Sequence, residues 1–146
     1  MNFLIKKFTE LTTSELYQIL QLRSEIFVVE QKCVYQDLDN KDQYALHVLG
    51  VKQDKIIAYT RLFNSGEYFE TPSIGRVLVK KKERAYGYGH FLIEASKQAV
   101  YDSYNSTKIT ISAQKYLIKF YESHGFIKEG EEYLEDGIPH VKMKTV

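Results

Sequence analysis

The alternation of apolar and polar residues along the chain predicts a series of short strands and helices. Residues 2–8 have the pattern of a first strand, and residues 12–15, Thr-Thr-Ser-Glu, have the pattern of a capping box that starts a helix. The apolar residues that follow fall on one face of that helix: Leu16, Ile19, Leu20, Ile26 and Phe27. The polar and acidic stretch 30–42 predicts a loop or a short second helix.

Six further blocks are rich in β-branched and aromatic residues and predict strands. They cover residues 44–51, 55–63, 71–79, 108–113, 126–131 and 138–143. A helix begins near His90, and a short one runs through Leu117 and Tyr121 to Gly125. No repeat or linker divides the chain, so we expect one domain, residues 1–146, with helices on both faces of a mixed α/β sheet.

The composition is that of a soluble globular protein. With 44% hydrophobic residues, 27% charged residues and a formal net charge of +1, the chain lacks the electrostatic footprint expected for nucleic acid or an acidic membrane. Cys33 is the only cysteine and the four histidines lack metal-ligand spacing, so we expect neither a disulfide nor a metal site. The apolar run near the N-terminus is too short for a signal peptide or a membrane span, which favours a cytoplasmic location.

The segment Arg-Ala-Tyr-Gly-Tyr-Gly at 84–89 joins a predicted strand to the helix near His90. Backbone N–H groups at a helix start lack partners and the helix dipole is positive there, so this turn favours an anion such as a phosphate. Gly87 and Gly89 remove the Cβ atoms that would obstruct the approach. Neither a Walker loop nor a dinucleotide fingerprint occurs at the required spacing. The sequence therefore predicts a ligand that carries a pyrophosphate.

Two motifs resemble those of the GNAT superfamily of N-acetyltransferases. The Arg-x-x-Gly-x-Gly pattern at 84–89 is similar to the coenzyme A signature, and Gln114 followed by Phe-Tyr-Glu-x-x-Gly-Phe at 120–126 is similar to a later segment of the superfamily. Ala85 stands where a glycine is usual, so its backbone angles must suit a residue with a Cβ. Three more stretches resemble the ElaA-type branch: residues 27–31, 35–39 and 135–140.

The resemblance implies a GNAT-like fold, with a mixed, mostly antiparallel twisted sheet of about seven strands and about four helices. It also implies acetyl-coenzyme A as cosubstrate and a primary amine as acceptor, on a small molecule, a peptide N-terminus or a lysine. The residues expected to contact the coenzyme are Val77, Leu78, Val79, Arg84, Ala85, Tyr86, Gly87, Tyr88, Gly89, His90, Gln114 and Tyr121. A bulge in the strand would free the amide of Leu78 or Val79 to stabilise the oxyanion.

Tyr121 is the expected general acid for the departing thiolate. The base that deprotonates the amine is left open, with His47 and Glu30 favoured slightly over Asp39 and His140. The acidic residues of 30–42 and 135–136 either line the acceptor pocket or form a solvated face. The protein is expected to be a monomer or homodimer. The alternative function is a catalytically inactive acetyl-coenzyme A sensor or interaction domain.

Overall fold

The computed structural model describes residues 1–146 and contains one seven-stranded sheet. The strands are β1 (Asn2–Lys7), β2 (Leu46–Lys52), β3 (Lys55–Phe63), β4 (Ser73–Val79), β5 (Thr110–Gln114), β6 (Phe126–Glu135) and β7 (Ile138–Thr145). They lie in the order β1-β2-β3-β4-β5-β7-β6, and all neighbours are antiparallel except β4 and β5. The prediction of a mixed, mostly antiparallel sheet is confirmed.

Four helices flank the sheet: α1 (Thr13–Arg23), a π-helix (Ser24–Glu30), α2 (Tyr88–Tyr104) and α3 (Ile118–Glu122). None of them combines the length and the apolar character needed to cross a bilayer. The predicted capping box is present, because Thr12 Oγ1 accepts from Glu15 N (3.0 Å) and Glu15 Oε1 accepts from Thr12 N (2.8 Å). The π-helix continues α1 with i−5 bonds such as Gln31 N to Ile26 O (3.2 Å). Such turns often occur at functional sites.

The alternating side chains of β3 separate two hydrophobic cores. On one face, Ala58 and Leu62 pack with Leu92 and Ile93 of α2 and with Tyr121 of α3. On the other face, a smaller core joins α1 and the π-helix to the sheet through Ile19, Leu22, Ile26, Leu49, Ile56, Tyr59 and Leu78. Helices therefore cover both faces, as the sequence predicts.

The β6–β7 hairpin is longer than the sequence predicts. Strand β6 continues to Glu135, four residues past the predicted end, because it pairs with β7 up to a two-residue turn. Asp136 and Gly137 both have positive φ in that turn (+52° and +77°). The charged residues within 128–132 obscure the continuation of this strand beyond residue 131, and the extension brings Glu135 and Asp136 to the edge of the site described next.

Candidate active site

Strands β4 and β5 are parallel neighbours that pair only at their first residues. Ser73 pairs with Thr110, whose amide donates to Pro72 O (2.9 Å), and the register contains no further pair. The facing edges of both strands beyond this point have no sheet partner, and a cleft of about 490 Å³ lies between them. An extended, amide-rich ligand can pair with such an edge as an added strand.

Strand β4 is bulged where it borders the cleft. Its pairing with β3 leaves Arg76 and Val77 together opposite the single residue Thr60, and Arg76 has φ +48°. An extra residue of this kind interrupts the ladder and redirects backbone groups. The bulge implied by the resemblance is therefore present, directly before Leu78 and Val79, which line the cleft.

The turn that precedes α2 leaves backbone amides available at the cleft. Gly87 has φ +72°, and its amide makes no backbone hydrogen bond. The amides of Tyr88 and Gly89 belong to the first turn of α2, which offers them no acceptor within the helix. The sequence predicts a free amide at His90 as well, but this amide donates to Gly87 O (3.2 Å). Gly87, Gly89 and His90 line the cleft.

Three residues of the expected coenzyme-binding set do not line the cleft: Ala85, Tyr86 and Tyr88. Ala85 and Tyr86 lie in a 3-10 turn (Lys81–Tyr86), where Ala85 needs no positive φ and its Cβ causes no strain. The rings of Tyr86 and Tyr88 instead hold Lys52 Nζ, at 4.6 and 5.3 Å from their centroids. These two side chains bind a surface lysine.

Arg84 is held across the cleft by Glu30, the last residue of the π-helix. Arg84 Nη1 and Nη2 donate to the Glu30 carboxylate at 2.7 and 3.1 Å, and Arg84 Nε donates to Val79 O (2.9 Å). Both residues line the cleft. The sequence makes Glu30 one of several candidate bases and places Arg84 at the coenzyme, whereas the structure pairs them with each other.

Gln31 and Cys33, which follow Glu30 in the chain, contact the opposite wall of the cleft. Gln31 and Gln114 exchange side-chain amide hydrogen bonds (both 3.3 Å), and Cys33 Sγ donates to Asp136 O (3.2 Å). Residues 30–33 thus contact the turn before α2, strand β5 and the β6–β7 turn. Gln114, which the sequence places at the coenzyme, lines the cleft, and so does its partner Gln31, which the sequence does not single out.

Tyr121 brings a buried phenol to the cleft. The residue is 5% exposed, and its ring meets Phe120 and Phe126 edge-on at 5.2 and 5.9 Å. Its hydroxyl has no hydrogen-bond partner within the protein. Burial raises the pKa of Tyr121, so the phenol stays protonated and can donate.

A second group of polar side chains lines the far end of the cleft. His140 Nδ1 donates to Ile138 O (2.7 Å), which leaves Nε2 as the basic nitrogen, 3.3 Å from Glu135 Oε2. The Ser112 hydroxyl hydrogen-bonds to Tyr133 and to Glu135 (3.3 Å), and the Tyr133 ring stacks on His140 at 6.1 Å. The His140 side chain is 7% exposed. These groups can accept a proton from an amine.

His47, one of the two favoured bases, lies away from the cleft. The residue is 1% exposed, Nδ1 is 2.6 Å from Tyr59 Oη, and Nε2 is 2.9 Å from Asp42 O. Burial lowers the pKa of His47, which keeps the ring neutral. Both nitrogens are occupied and neither reaches the cleft, so the position argues against the base role and indicates a structural one.

Most of the acidic loop forms an ion network and does not line the acceptor pocket. The network joins three aspartates to three arginines: Asp37, Asp39 and Asp42 to Arg23, Arg61 and Arg76. Asp39, an open base candidate, is held by Arg61 (2.8 Å) and does not line the cleft. Glu135 and Asp136 do line it. The far end of the cleft therefore carries carboxylates that no lysine or arginine neutralises.

The sequence contained a signal for one residue that was missed. Ser112 and Gln114 are two residues apart on β5 and therefore share a face of the strand. A site role for Gln114 thus predicts that Ser112 faces the same site. No local pattern pointed to Tyr133, because it lies in the charged part of β6.

Comparison with known proteins identifies the class that this fold and cleft define. The family model described as "Acetyltransferase (GNAT) domain" matches residues 14–146, and the chain belongs to that family. Its fold and family are those of acyl-coenzyme A N-acyltransferases, which implies a cosubstrate derived from coenzyme A and an amine acceptor.

Within the family, the chain is similar to Protein ElaA of Escherichia coli (strain K12). The two sequences are 41% identical over 137 residues, which cover 92% of this chain and 90% of the relative. The crystal structure of E. coli ElaA matches with a TM-score of 0.92 at 37% identity over all of both chains. That of an acyl-CoA N-acyltransferase from Pseudomonas aeruginosa matches with the same TM-score at 38% identity, again over all of both chains. These similarities give no support to the alternative of an inactive sensor.

Proposed function

We propose that the protein transfers an acetyl group from acetyl-coenzyme A to a primary amine by direct attack on the thioester. One observation carries the proposal: the unpartnered phenol of Tyr121 lies in a cleft that opens between the bulged strand β4 and β5. The diphosphate would bind at the amides of Gly87, Tyr88 and Gly89, where the dipole of α2 is positive. The pantetheine arm would then follow the free edge of β4 towards Tyr121.

The reaction needs a donor for the thioester oxygen and one for the sulfur. As the amine nitrogen bonds to the carbonyl carbon, the oxygen becomes negative, and an amide of Val77 to Val79 at the bulge stabilises it. The C–S bond then breaks and leaves a thiolate. A tyrosine near pKa 10 donates fully to a thiol near 8.5 only at a cost of about 2 kcal/mol, and burial increases that cost at Tyr121. We therefore assign Tyr121 a hydrogen bond to the sulfur.

The acceptor must lose a proton before it attacks. Deprotonating a lysine-like ammonium at pH 7 costs about 4–5 kcal/mol, whereas an α-amine needs only about 1 kcal/mol. Nε2 of His140 is the basic atom that borders the cleft, and Glu135 can stabilise the imidazolium once it forms. We propose this pair, directly or through one water, as the base. The carboxylates of Glu135 and Asp136 favour an acceptor that arrives as a cation.

The proposal is tested by mixing the protein with acetyl-coenzyme A and a panel of amines while the release of free thiol is followed. The panel contains diamines, amino acids, and peptides with a free N-terminus or lysine. We expect thiol release coupled to a mass gain of one acetyl group on a cationic amine. Binding of acetyl-coenzyme A with no release across the panel would contradict the proposal and support a sensor.

A further inference from the structure

A chain of three hydrogen-bonded side chains leads from the protein surface to the phosphate end of the cleft. His90, in the first turn of α2, has Nδ1 at 2.9 Å from Nε2 of His124, and His124 Nδ1 is 2.5 Å from Oε2 of Glu94. His90 lines the cleft, whereas His124 and Glu94 do not. The reaction proposed above uses none of these three side chains.

The carboxylate at one end determines which atom donates in each of these two hydrogen bonds. Glu94 is an acceptor, because burial alone would raise its pKa but the hydrogen bond from His124 and the charge of Lys97 outweigh burial and lower it. His124 must therefore donate from Nδ1, and when both rings are neutral its Nε2 accepts from Nδ1 of His90. In that state Nε2 of His90 carries a lone pair, has no protein partner, and repels an anion.

One added proton reverses the character of Nε2. Whether the proton resides on His90 or on His124, the only arrangement that keeps both hydrogen bonds puts a hydrogen on Nε2 of His90. The cationic pair is stabilised by Glu94 across a 2.5 Å contact, and by the Phe120 ring, which lies 4.9 and 5.2 Å from the two imidazoles.

The other charges near the chain do not supply this donor. Lys97 is occupied with His124 O (2.8 Å) and with Glu94 (3.6 Å). Arg84 and Glu30, which also line the cleft, are paired with each other. The His90 side chain belongs to the same first turn of α2 as the free amides and lines the cleft with Gly87 and Gly89.

We infer that the His90 side chain is a ligand of the coenzyme diphosphate, that it binds in the protonated state, and that His124 and Glu94 position and charge it. The inference rests on the use of a coenzyme A cosubstrate in the proposed function. It predicts that binding of a diphosphate ester takes up one proton. His90 and His124 are 34 residues apart in the chain, and their contact is made only in the fold.

The test measures the dissociation constant of dephospho-coenzyme A by calorimetry between pH 5.5 and 8.5. This probe keeps the diphosphate but lacks the phosphate monoester of coenzyme A, which itself titrates near pH 6. We expect affinity to fall by ~10-fold from pH 6 to pH 8. Close to one proton should be taken up on binding near pH 8. His90→Gln keeps a side-chain donor and should bind with little dependence on pH. Glu94→Gln should reduce the pH dependence, and Glu122→Gln, at an exposed carboxylate outside the cleft, should leave it unchanged.

Three results overturn the inference. Binding of the probe by the unmodified protein with a flat pH profile would do so and leave the proposed function intact, as would an unaltered profile in His90→Gln. No binding of either dephospho-coenzyme A or coenzyme A at any pH would contradict the inference and the proposed function together.

Discussion

Glu30 and Arg84 form a two-point ion pair that ties the end of the π-helix to the turn before α2, with N–O distances of 2.7 and 3.1 Å. The Arg84 guanidinium is thereby directed at a carboxylate rather than at the amides of Gly87 and Gly89. A diphosphate that binds Arg84 must displace the Glu30 carboxylate or share the guanidinium with it. We therefore expect Glu30 to compete with a diphosphate for the Arg84 guanidinium.

Glu30→Gln should tighten the binding of coenzyme A, because it frees Arg84 without removing any phosphate ligand. A partly exposed pair of this kind contributes about 0.2–1 kcal/mol, so we expect a gain of about 1.4- to five-fold in calorimetric affinity. Glu25→Gln, on the exposed face of the same π-helix, is the matched control and should change nothing. Unchanged or weaker binding in Glu30→Gln would show that Glu30 does not compete with the coenzyme.

Gly87→Val should weaken coenzyme A binding by about ten-fold or more. The space around Gly87 is open, but its φ of +72° is strained for any β-branched residue, so the turn must rearrange and misplace its amides. Gly66→Val imposes the same strain at φ +82° in a loop outside the cleft and should lower the melting temperature only. Equal coenzyme affinity in both variants would remove the phosphate role of the turn.

Tyr121→Phe should lower kcat by about 10- to 100-fold and change the KM for acetyl-coenzyme A little. The substitution removes one hydrogen bond to the sulfur in the transition state and leaves the packing against Phe120 and Phe126 intact. Tyr17→Phe, at a 71% exposed position on α1, controls for loss of a hydroxyl. A kcat equal to that of the unmodified protein would return Tyr121 to a packing role.

His140→Gln and His47→Gln should separate the two histidines by their pH–rate profiles. If His140 accepts the proton, His140→Gln should lose most activity together with the acidic limb that a general base gives to the kcat/KM profile. His47→Gln should keep the limb but unfold at a lower temperature, because it breaks two buried hydrogen bonds. Loss of the limb in His47→Gln instead would reverse the assignment.

The ion network around the loop 31–45 should make the fold sensitive to strong acid. Burial alone would raise the pKa of Asp39, but Arg61 outweighs it and lowers the pKa to about 2, and the Arg23 and Arg61 guanidinium groups lower that of Asp42. Because these pKa values lie below those of the unfolded chain, the stabilisation is complete above about pH 4 and is lost as pH falls towards 2. Circular dichroism against pH measures it.

Asp42→Asn should remove much of that acid sensitivity and cost about 3 kcal/mol at pH 7, since it leaves two buried arginines short of a counter-charge. Asp54→Asn, in the exposed β2–β3 turn, should change the free energy of unfolding by less than about 0.5 kcal/mol. An acid transition that is identical in Asp42→Asn and in the unmodified protein would mean that the network does not control it.

The architecture was predictable because its signals are local. The capping box at Thr12, the positive-φ turns and the glycine turn before α2 each depend on a few adjacent residues. The separation of β4 from β5 was not predictable in this way, because strand pairing depends on residues far apart in the chain.

The candidate site likewise has one part that consists of adjacent residues and another that is assembled from distant ones. The backbone that we propose to face the coenzyme is one continuous segment, 77–89, and its glycine motif is readable in the sequence. The end of the cleft that we propose for the acceptor combines Ser112, Glu135 and His140 from three strands, and the π-helix places Glu30 against Arg84. Periodicity assigned His47 to a strand but not to a face of the sheet, so the sequence could not show that this histidine lies away from the cleft.

A crystal structure of the protein with acetyl-coenzyme A tests the central claim most directly. We predict that the diphosphate lies within hydrogen-bond distance of the Gly87 amide and its neighbours, and that the pantetheine arm pairs with the free edge of β4. The thioester sulfur should then lie beside the Tyr121 hydroxyl. A coenzyme bound elsewhere, or with its acetyl group outside the gap between β4 and β5, would contradict the account.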